Sequence, residues 1–288
     1  MIIRPATRED IDESIALLHG KMSRKIAPER WRRIFEYDWN MPKPNFGYVA
    51  EVDNRIVGYV GAIHSERRVG GNRVGVTNMC AWYLEKEHRG HGAGQRLMAE
   101  ATSDPARHYT SMTSTSNPRT MGVLRSAGFR SLDDYRWDWQ RSSAGTSAIE
   151  AITDVDSLLP RLREEERGYL HDLLPYGVQP VLLRHAEAES FAIFSVTQKG
   201  EDQPWWDVLY ARDTELGFFA RFGQDIADAL LPADNAVLSA DGRFCGGTPS
   251  SATRITLPAP RFAKSTSLSG SALDHLYTEL QLLSLKLD

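Results

Sequence analysis

Cysteine is scarce in this chain: Cys80 and Cys245 are the two among 288 residues. Neither belongs to a C-x-x-C pair, so the sequence points to no disulfide framework and no metal site, and free buried thiols are expected. Long apolar runs are missing as well. None approaches the ~20 residues that cross a bilayer, and Met1-Ile2-Ile3-Arg4-Pro5 lacks a signal-peptide core, so a cytoplasmic protein without membrane contact is expected. Nor is there an excess of positive charge. Lys and Arg number 34 against 38 Asp and Glu, for a net charge of −4, which argues against nucleic-acid partners while leaving room for a local basic patch.

What is present is ordinary globular composition, with 41% hydrophobic and 25% charged residues, 22 glycines and 14 prolines. Collagenous, coiled-coil and wholly disordered chains look different. At roughly 150 residues per domain the length suits two domains. Arg141 to Ser147 is small and polar, and the expected division is a domain over 1–140, a linker over 141–150 and a second domain over 151–288.

In the first half, Ile2 to Ala6 reads as a strand, and Thr7 with Asp10 as a cap for a helix carrying Ile11, Ile15 and Leu18. A second helix is expected from Glu29 to Trp39, then a hairpin of 46–52 and 56–63 turning at Asp53-Asn54. After a turn at Gly70-Gly71-Asn72, a long strand places Val74, Val76, Asn78, Cys80, Trp82 and Leu84 on one face at period two. Next come Arg89-Gly90-His91-Gly92-Ala93-Gly94 and a helix bearing Leu97, Met98 and Ala101. His108 to Thr115 reads as a strand, Asn117-Pro118 as a helix start, Gly128 as its end and 135–139 as an aromatic strand.

The second half offers a helix with Leu158 and Leu162, strands at 181–183, 191–196 and 205–211, a helix with Phe219, Phe222, Ile226 and Leu230, and a strand at 236–240. The element order repeats that of the first half, which suggests an internal structural duplication. A closing helix with Leu273, Leu276, Leu280 and Leu283 is expected at the tail.

A glycine-rich turn between strand and helix gathers backbone N–H groups at the positive end of a helix dipole and so suits a phosphate. Neither a Walker loop nor a dinucleotide fingerprint fits, because G-x-x-x-x-G-K-[ST] is absent and Gln95 stands where the latter needs its third glycine. With Arg89, Gly92 and Gly94 in R-x-x-G-x-G spacing, and Asn117 before a helix that closes on Gly128-Phe129, residues 1 to 140 resemble the GNAT superfamily of acyl-CoA-dependent N-acyltransferases.

The resemblance implies an α/β (α+β) fold, a mixed and mostly antiparallel twisted sheet flanked by helices, followed by a second GNAT-like domain without the CoA loop. It implies acetyl-CoA or another acyl-CoA as co-substrate, its pyrophosphate at Arg89, Gly90, Gly92, Ala93 and Gly94, its pantetheine and thioester along Trp82 and Leu84, and Asn117 on the pantetheine arm. Core packing explains Trp82 and Leu84 equally well, and an N-cap role alone explains Asn117.

The match fails at one point. Many members of the family it resembles carry a Tyr four residues before the Gly-Phe, positioned to protonate the departing thiolate, and here Leu124 occupies that position. For a general base the sequence offers His64, Glu66 and Asn78, with His64 leading because its ordinary pKa lies near neutrality. A hydrogen-bonded structural histidine is the competing reading, and Glu66 beside Arg67 and Arg68 also reads as a solvated ion pair. Cys80 reads as core.

The second half enters its helix through Asp213-Thr214-Glu215-Leu216-Gly217, an acidic approach unsuited to phosphate, so one CoA per chain is expected. There Trp205, Trp206 and Asp207 are candidates for acceptor binding, or else interdomain core. The expected partner is a small-molecule amine, with an amino sugar or sugar nucleotide preferred by analogy with tandem family members, in a monomer or homodimer. A non-catalytic acyl-CoA-binding protein and a protein-amine acetyltransferase are the alternatives.

Overall fold

The computed structural model describes residues 1–39, 43–69, 71–112, 117–143 and 146–287. The chain divides into two compact units, one made of 1–131, 261–268 and 277–285, the other of 132–260, 269–276 and 286–288. The linker expected at 141–150 therefore falls inside the span of the second unit, and residues 144–145 of it lie outside the described residues. The C-terminal segment contributes to both units in turn.

In the first unit the order is β1 (Ile2–Pro5), α1 (Ile11–Leu17), α2 (Pro28–Arg32), β2 (Tyr48–Val52), β3 (Arg55–Val69), β4 (Asn72–Leu84), α3 (Ala93–Ala101), β5 (His108–Ser111) and α4 (Pro118–Ser126). The Thr7–Asp10 capping box is present. The helix expected from Glu29 to Trp39 keeps only its first turns, then gives way to turns that bury Ile34, Phe35 and Trp39. Between α1 and α2 the helix widens at Leu18–Met22 to an i→i+5 bond, Ser23 N to Leu18 O at 3.0 Å, a local expansion that recurs at functional sites.

Strands β1 to β4 pair in sequence, all antiparallel, and β4 pairs with β5 in parallel. The strand expected to reach Thr115 is seen as β5, and residues 113–116 lie outside the described residues. Phe262 to Lys264 then add to β5 antiparallel. Helices α3 and α4 lay Leu97, Met98, Ala101 and Leu124 on Val60, Ala62, Met79, Tyr109 and Phe262, which forms the core of this unit.

The second unit comprises β6 (Arg130–Trp139), β7 (Glu150–Ile152), α5 (Val155–Leu158), α6 (Glu164–Leu173), β8 (Val178–His185), β9 (Ala188–Lys199), β10 (Gln203–Ala211), α7 (Phe218–Leu230), β11 (Val237–Asp241), α8 (Gly242–Cys245) and β12 (Thr253–Lys264). The first two residues of β6 and the last four of β12 count with the first unit. Strands β7 to β10 pair antiparallel, β10 with β11 in parallel, and β6 closes on β11 antiparallel. The parallel pair thus occupies the same place in the strand order as β4 and β5 in the first unit. A mixed α/β, mostly antiparallel arrangement is what the sequence led one to expect, and the repeated strand pattern is the duplication it suggested.

The tail is a correction. Instead of one apolar helix, residues 273–275 are tied into the second unit by Arg243 Nε on the Leu273 carbonyl at 2.8 Å and His275 N on the Leu209 carbonyl at 2.8 Å. Residues 277–285 then join the first unit, with α9 (Glu279–Leu282) its one short helix. A leucine pattern at helical spacing reports burial, and here tertiary contacts supplied the burial without a long helix.

One further departure shapes the site. Gly61 pairs with Cys80 but Tyr59 pairs with Tyr83, so β4 carries one extra residue at 81–82, and Ala81 takes φ +47°. The bulge reverses the alternation. Leu84 therefore shares a face with Thr77 and Met79, and not with Asn78 and Cys80 as simple period two required. The bulged strand fits because β3 carries no side chain at 61: a Cβ there would lie 2.6 Å from Cys80 Sγ. Gly61→Ala is expected to lower stability by about 1–3 kcal/mol through overpacking, and adding Cys80→Ala should recover most of it. Unchanged urea midpoints for Gly61→Ala would show that the fit is loose.

Candidate active site

Two features of the first unit converge on Trp82. The first is the loop from β4 into α3. Arg89 donates from Nε to the Leu84 carbonyl at 2.7 Å, and its guanidinium stands 5.3 Å from the Tyr83 ring centroid, so the exposed side chain is held in place. Gly90 at φ +103° and Gly92 at φ +75° reverse the chain into α3. A Cβ at Gly90 would meet nothing within 4 Å, and one at Gly92 only the Gln95 side chain at 4.0 Å. Glycine is required there by backbone conformation, and the space beside it is open. The first-turn amides of α3 have no intrahelical acceptors, and the dipole places positive potential on them. An anionic phosphate fits this cradle.

The second feature is a cavity of about 230 Å³. Among the described residues, pairing between β4 and β5 covers Val76 to Asn78, and Met79, Cys80, Ala81 and Trp82 of the bulged segment line the space beyond. Met98, Thr120 and Leu124 from the two following helices, with Ser111 from β5, form another wall. Met22, Ser23, Ile26 and Trp31 close in from the widened helical turn and α2, and Leu283 and Leu285 from the C-terminal segment. Trp82 joins the two features: it lines the cavity, and its ring lies 3.2 Å from where a Cβ on Gly94 would be.

The remaining lining residue is Glu279, which the sequence reading passed over. Its side chain is buried, and Asn78 Nδ2 donates to its carboxylate. Thr110 Oγ1 donates to Asn78 Oδ1 at 3.1 Å, so neighbouring strands orient the amide that orients the carboxylate. The segment is anchored just before it, where the Tyr277 ring takes the Arg67 guanidinium at 4.5 Å and the Trp39 edge at 5.0 Å. Among the described residues Glu279 is the single charged side chain lining the cavity. No local signal marks it, since its partner is 201 positions away.

The residues singled out from sequence separate. Asn78 is buried on the face of Glu279, whereas the register pairs His64 with Thr77 on the opposite face. His64 is buried and does not line the cavity. Its Nδ1 lies 3.0 Å from Thr77 Oγ1 and its Nε2 3.2 Å from Asn45 Oδ1. Arg107 donates to Thr77 at 3.3 Å, so the hydroxyl donates on to Nδ1 and Nε2–H donates to Asn45, which is the pattern of a neutral imidazole. Burial first, and then the Arg107 charge, depress its pKa to about 3. A histidine so placed is a poor proton acceptor at neutral pH. Glu66 is exposed and pairs with Arg73 at 3.3 Å.

Leu84 is buried and uses its carbonyl to hold Arg89. Ala93 is buried as the first residue of α3. Asn117 is exposed, accepts from Arg119 N at 3.0 Å as the cap of α4, and does not line the cavity. Burial and the nearby Glu279 carboxylate push the Cys80 thiol well up, so it stays protonated.

In the second unit, the helix entrance corresponding to the glycine loop is filled: a Cβ at Gly217 would stand 3.5 Å from the Gly246 carbonyl. Asp213 is paired with Arg163. Trp205 is flanked by Lys199 at 4.0 Å and Arg136 at 4.7 Å from its ring, and Trp206 packs on the hydrophobic core against Phe194. Asp207 is wholly buried beside Lys199 at 3.1 Å, and burial, opposed by that lysine, raises its pKa to about 6. None of the three lines the cavity.

Residues 14–129 match the family described as Acetyltransferase (GNAT) family. Among solved structures the chain is similar to a GCN5-related N-acetyltransferase from Anabaena variabilis, at 14% identity and TM-score 0.55, over 91% of this chain and 71% of that one. A probable N-acyltransferase from Enterococcus faecalis gives 13% identity and TM-score 0.51 over 91% and 71%, and Eis1 from Mycobacterium abscessus 12% and 0.50 over 92% and 74%. These likenesses show the fold. No curated protein sequence matches.

The state of His64 is open to direct test. Its lowered pKa means that the unfolded chain takes up the proton more readily, so this contribution to stability is complete above about pH 6.5 and is lost as pH falls toward 3, at up to about 1.4 kcal/mol per pH unit. NMR of the imidazole is expected to show it neutral at pH 5. Titration near pH 6.5 would return His64 to candidacy as the base.

Proposed function

We propose, from the premise that residues 14–129 form a domain of the GNAT acetyltransferase family, that this chain acylates a primary amine of a small molecule by direct attack on an acyl-CoA thioester. Members of the family use acetyl-CoA or another acyl-CoA as co-substrate, which supplies the activated carbonyl. The observation that carries the reading is the placement of Trp82, which packs on Gly94 of the phosphate cradle and lines the cavity at the bulge.

The chain's own residues have three tasks in this reading. Arg89 and the amides of Gly92, Gly94 and Gln95 hold the pyrophosphate, while the Ala93 amide donates to the Gly90 carbonyl at 3.1 Å. The bulge at Ala81 turns strand backbone toward the cavity where the thioester carbonyl is to be polarised. The walls exclude water and align the amine, and orientation of this kind contributes about 7–11 kcal/mol. Leu124 offers no proton to the leaving group. A thiolate with pKa near 8.5 leaves without one, so the missing tyrosine does not prevent turnover.

One acyl-CoA per chain is expected, because the entrance of α7 is occupied by the chain at Gly246 while that of α3 is open. Calorimetry with acetyl-CoA should give a stoichiometry of one. Gly92→Glu, which sets a carboxylate against the pyrophosphate and forces a side chain into φ +75°, should weaken binding by at least tenfold, or about 1.4 kcal/mol. Equal affinity in the folded variant would remove the phosphate site from this loop. Binding without thiol release against any amine would instead mark a non-catalytic acyl-CoA-binding protein.

A further inference from the structure

The cavity has a chemical character that narrows the acceptor. Its charge comes from one carboxylate, Glu279, and its hydroxyls from Ser23, Ser111 and Thr120. Apart from the Trp31 indole N–H and the strand backbone at the bulge, the rest of its lining is apolar. At the entrance, Met22 is 43% exposed although it is a large hydrophobic side chain, and Ile26 and Leu285 are half-buried beside the same space. One exposed and two half-buried apolar side chains beside a mostly apolar cavity suit an apolar ligand, and methionine adapts to varied shapes.

A sugar does not suit this lining. Each hydroxyl taken from water without a partner costs about 1–3 kcal/mol, and an amino sugar carries several. A cation on an apolar body does suit it, because the ammonium meets the carboxylate while the rest covers Met22, Ile26 and Leu285. Glu279 is held for this task by Asn78 and the Thr278 cap, whose Oγ1 accepts from Leu280 N at 3.3 Å.

We infer that the acceptor is a primary amine on an apolar, aryl or alkyl, body, and that Glu279 both anchors its ammonium and takes its proton. The inference rests on the acyl-transfer reading above for its chemistry, but not for the binding it requires. The ammonium gives one proton to the Glu279 carboxylate, and the freed nitrogen lone pair attacks the thioester carbonyl. The C–N bond forms, and the C–S bond breaks with its electron pair passing to sulfur. The second nitrogen proton ends on the thiolate, giving free CoA, and Glu279 returns the first to water.

The test uses the full chain with 2-phenylethylamine and glucosamine as probes. Calorimetry should detect binding of 2-phenylethylamine, and Glu279→Gln should weaken it by at least tenfold while leaving acetyl-CoA affinity unchanged. In thiol-release assays 2-phenylethylamine should exceed glucosamine in kcat/KM by at least tenfold. Glu279→Gln should lower kcat by 10²–10⁴-fold, the range for loss of a general base, with Glu279→Asp retaining part of it.

Leu285→Asn, a change at the half-buried rim, should raise KM for the aromatic amine several-fold and spare kcat. Equal or better use of glucosamine, or full turnover by Glu279→Gln, would overturn the inference and leave acyl transfer standing. Glu279-dependent binding of the aromatic amine with no thiol release would support the acceptor class and overturn the acyl-transfer reading. Thermal melts of each variant identify any loss that is merely unfolding.

Discussion

The candidate site depends on an interruption in strand pairing. A parallel pair of β4 and β5 continued past Asn78 would close the sheet and leave no opening. Among the described residues pairing stops at the Asn78–Thr110 step instead, and the extra residue at 81–82 turns β4 away. Ala81 holds a backbone conformation that costs a residue with a Cβ, and the absence of a side chain at Gly61 leaves room for Cys80 beside it. A cavity in the middle of a sheet follows from that divergence, and the same movement carries Trp82 against the glycine cradle of α3.

Around that opening the chain gathers chemistry from distant places. The cradle is local, built by consecutive residues whose glycines serve conformation and access. The carboxylate is not. Glu279 reaches the cavity because Tyr277, just before it, is received by Arg67 and Trp39. The strand that bears Asn78 therefore presents an amide to a segment from the other end of the sequence, and two strand side chains, Asn78 and Thr110, hold one carboxylate in position.

The two units show how a repeated strand order supports different chemistry. In the first, α3 begins at open glycines. In the second, α7 begins against Gly246, with Asp213 engaged by Arg163 and the neighbouring strand filled by Asp207 and its lysine. A helix N-terminus binds phosphate only where nothing else occupies the space, and an element order cannot reveal whether it is occupied.

The sequence by itself determined what short-range chemistry controls. The capping box at Thr7, the glycine turn between strand and helix, the proline start of α4 and the repeated order of strands and helices are all set within a few residues. The R-x-x-G-x-G spacing was legible for the same reason, since each glycine answers to its own backbone angle. Tertiary structure decided the rest. It made His64 a neutral buried imidazole by surrounding it with Thr77, Asn45 and Arg107, although its residue type alone suggested a base. It parted His64 from Asn78 across the sheet, reversed the faces at an alanine that carries no bulge signal, and shortened a leucine-patterned tail to one helical turn. It also brought Glu279 to the cavity: a contact spanning 201 positions is made by packing, and no local pattern of residues encodes where packing will carry a side chain.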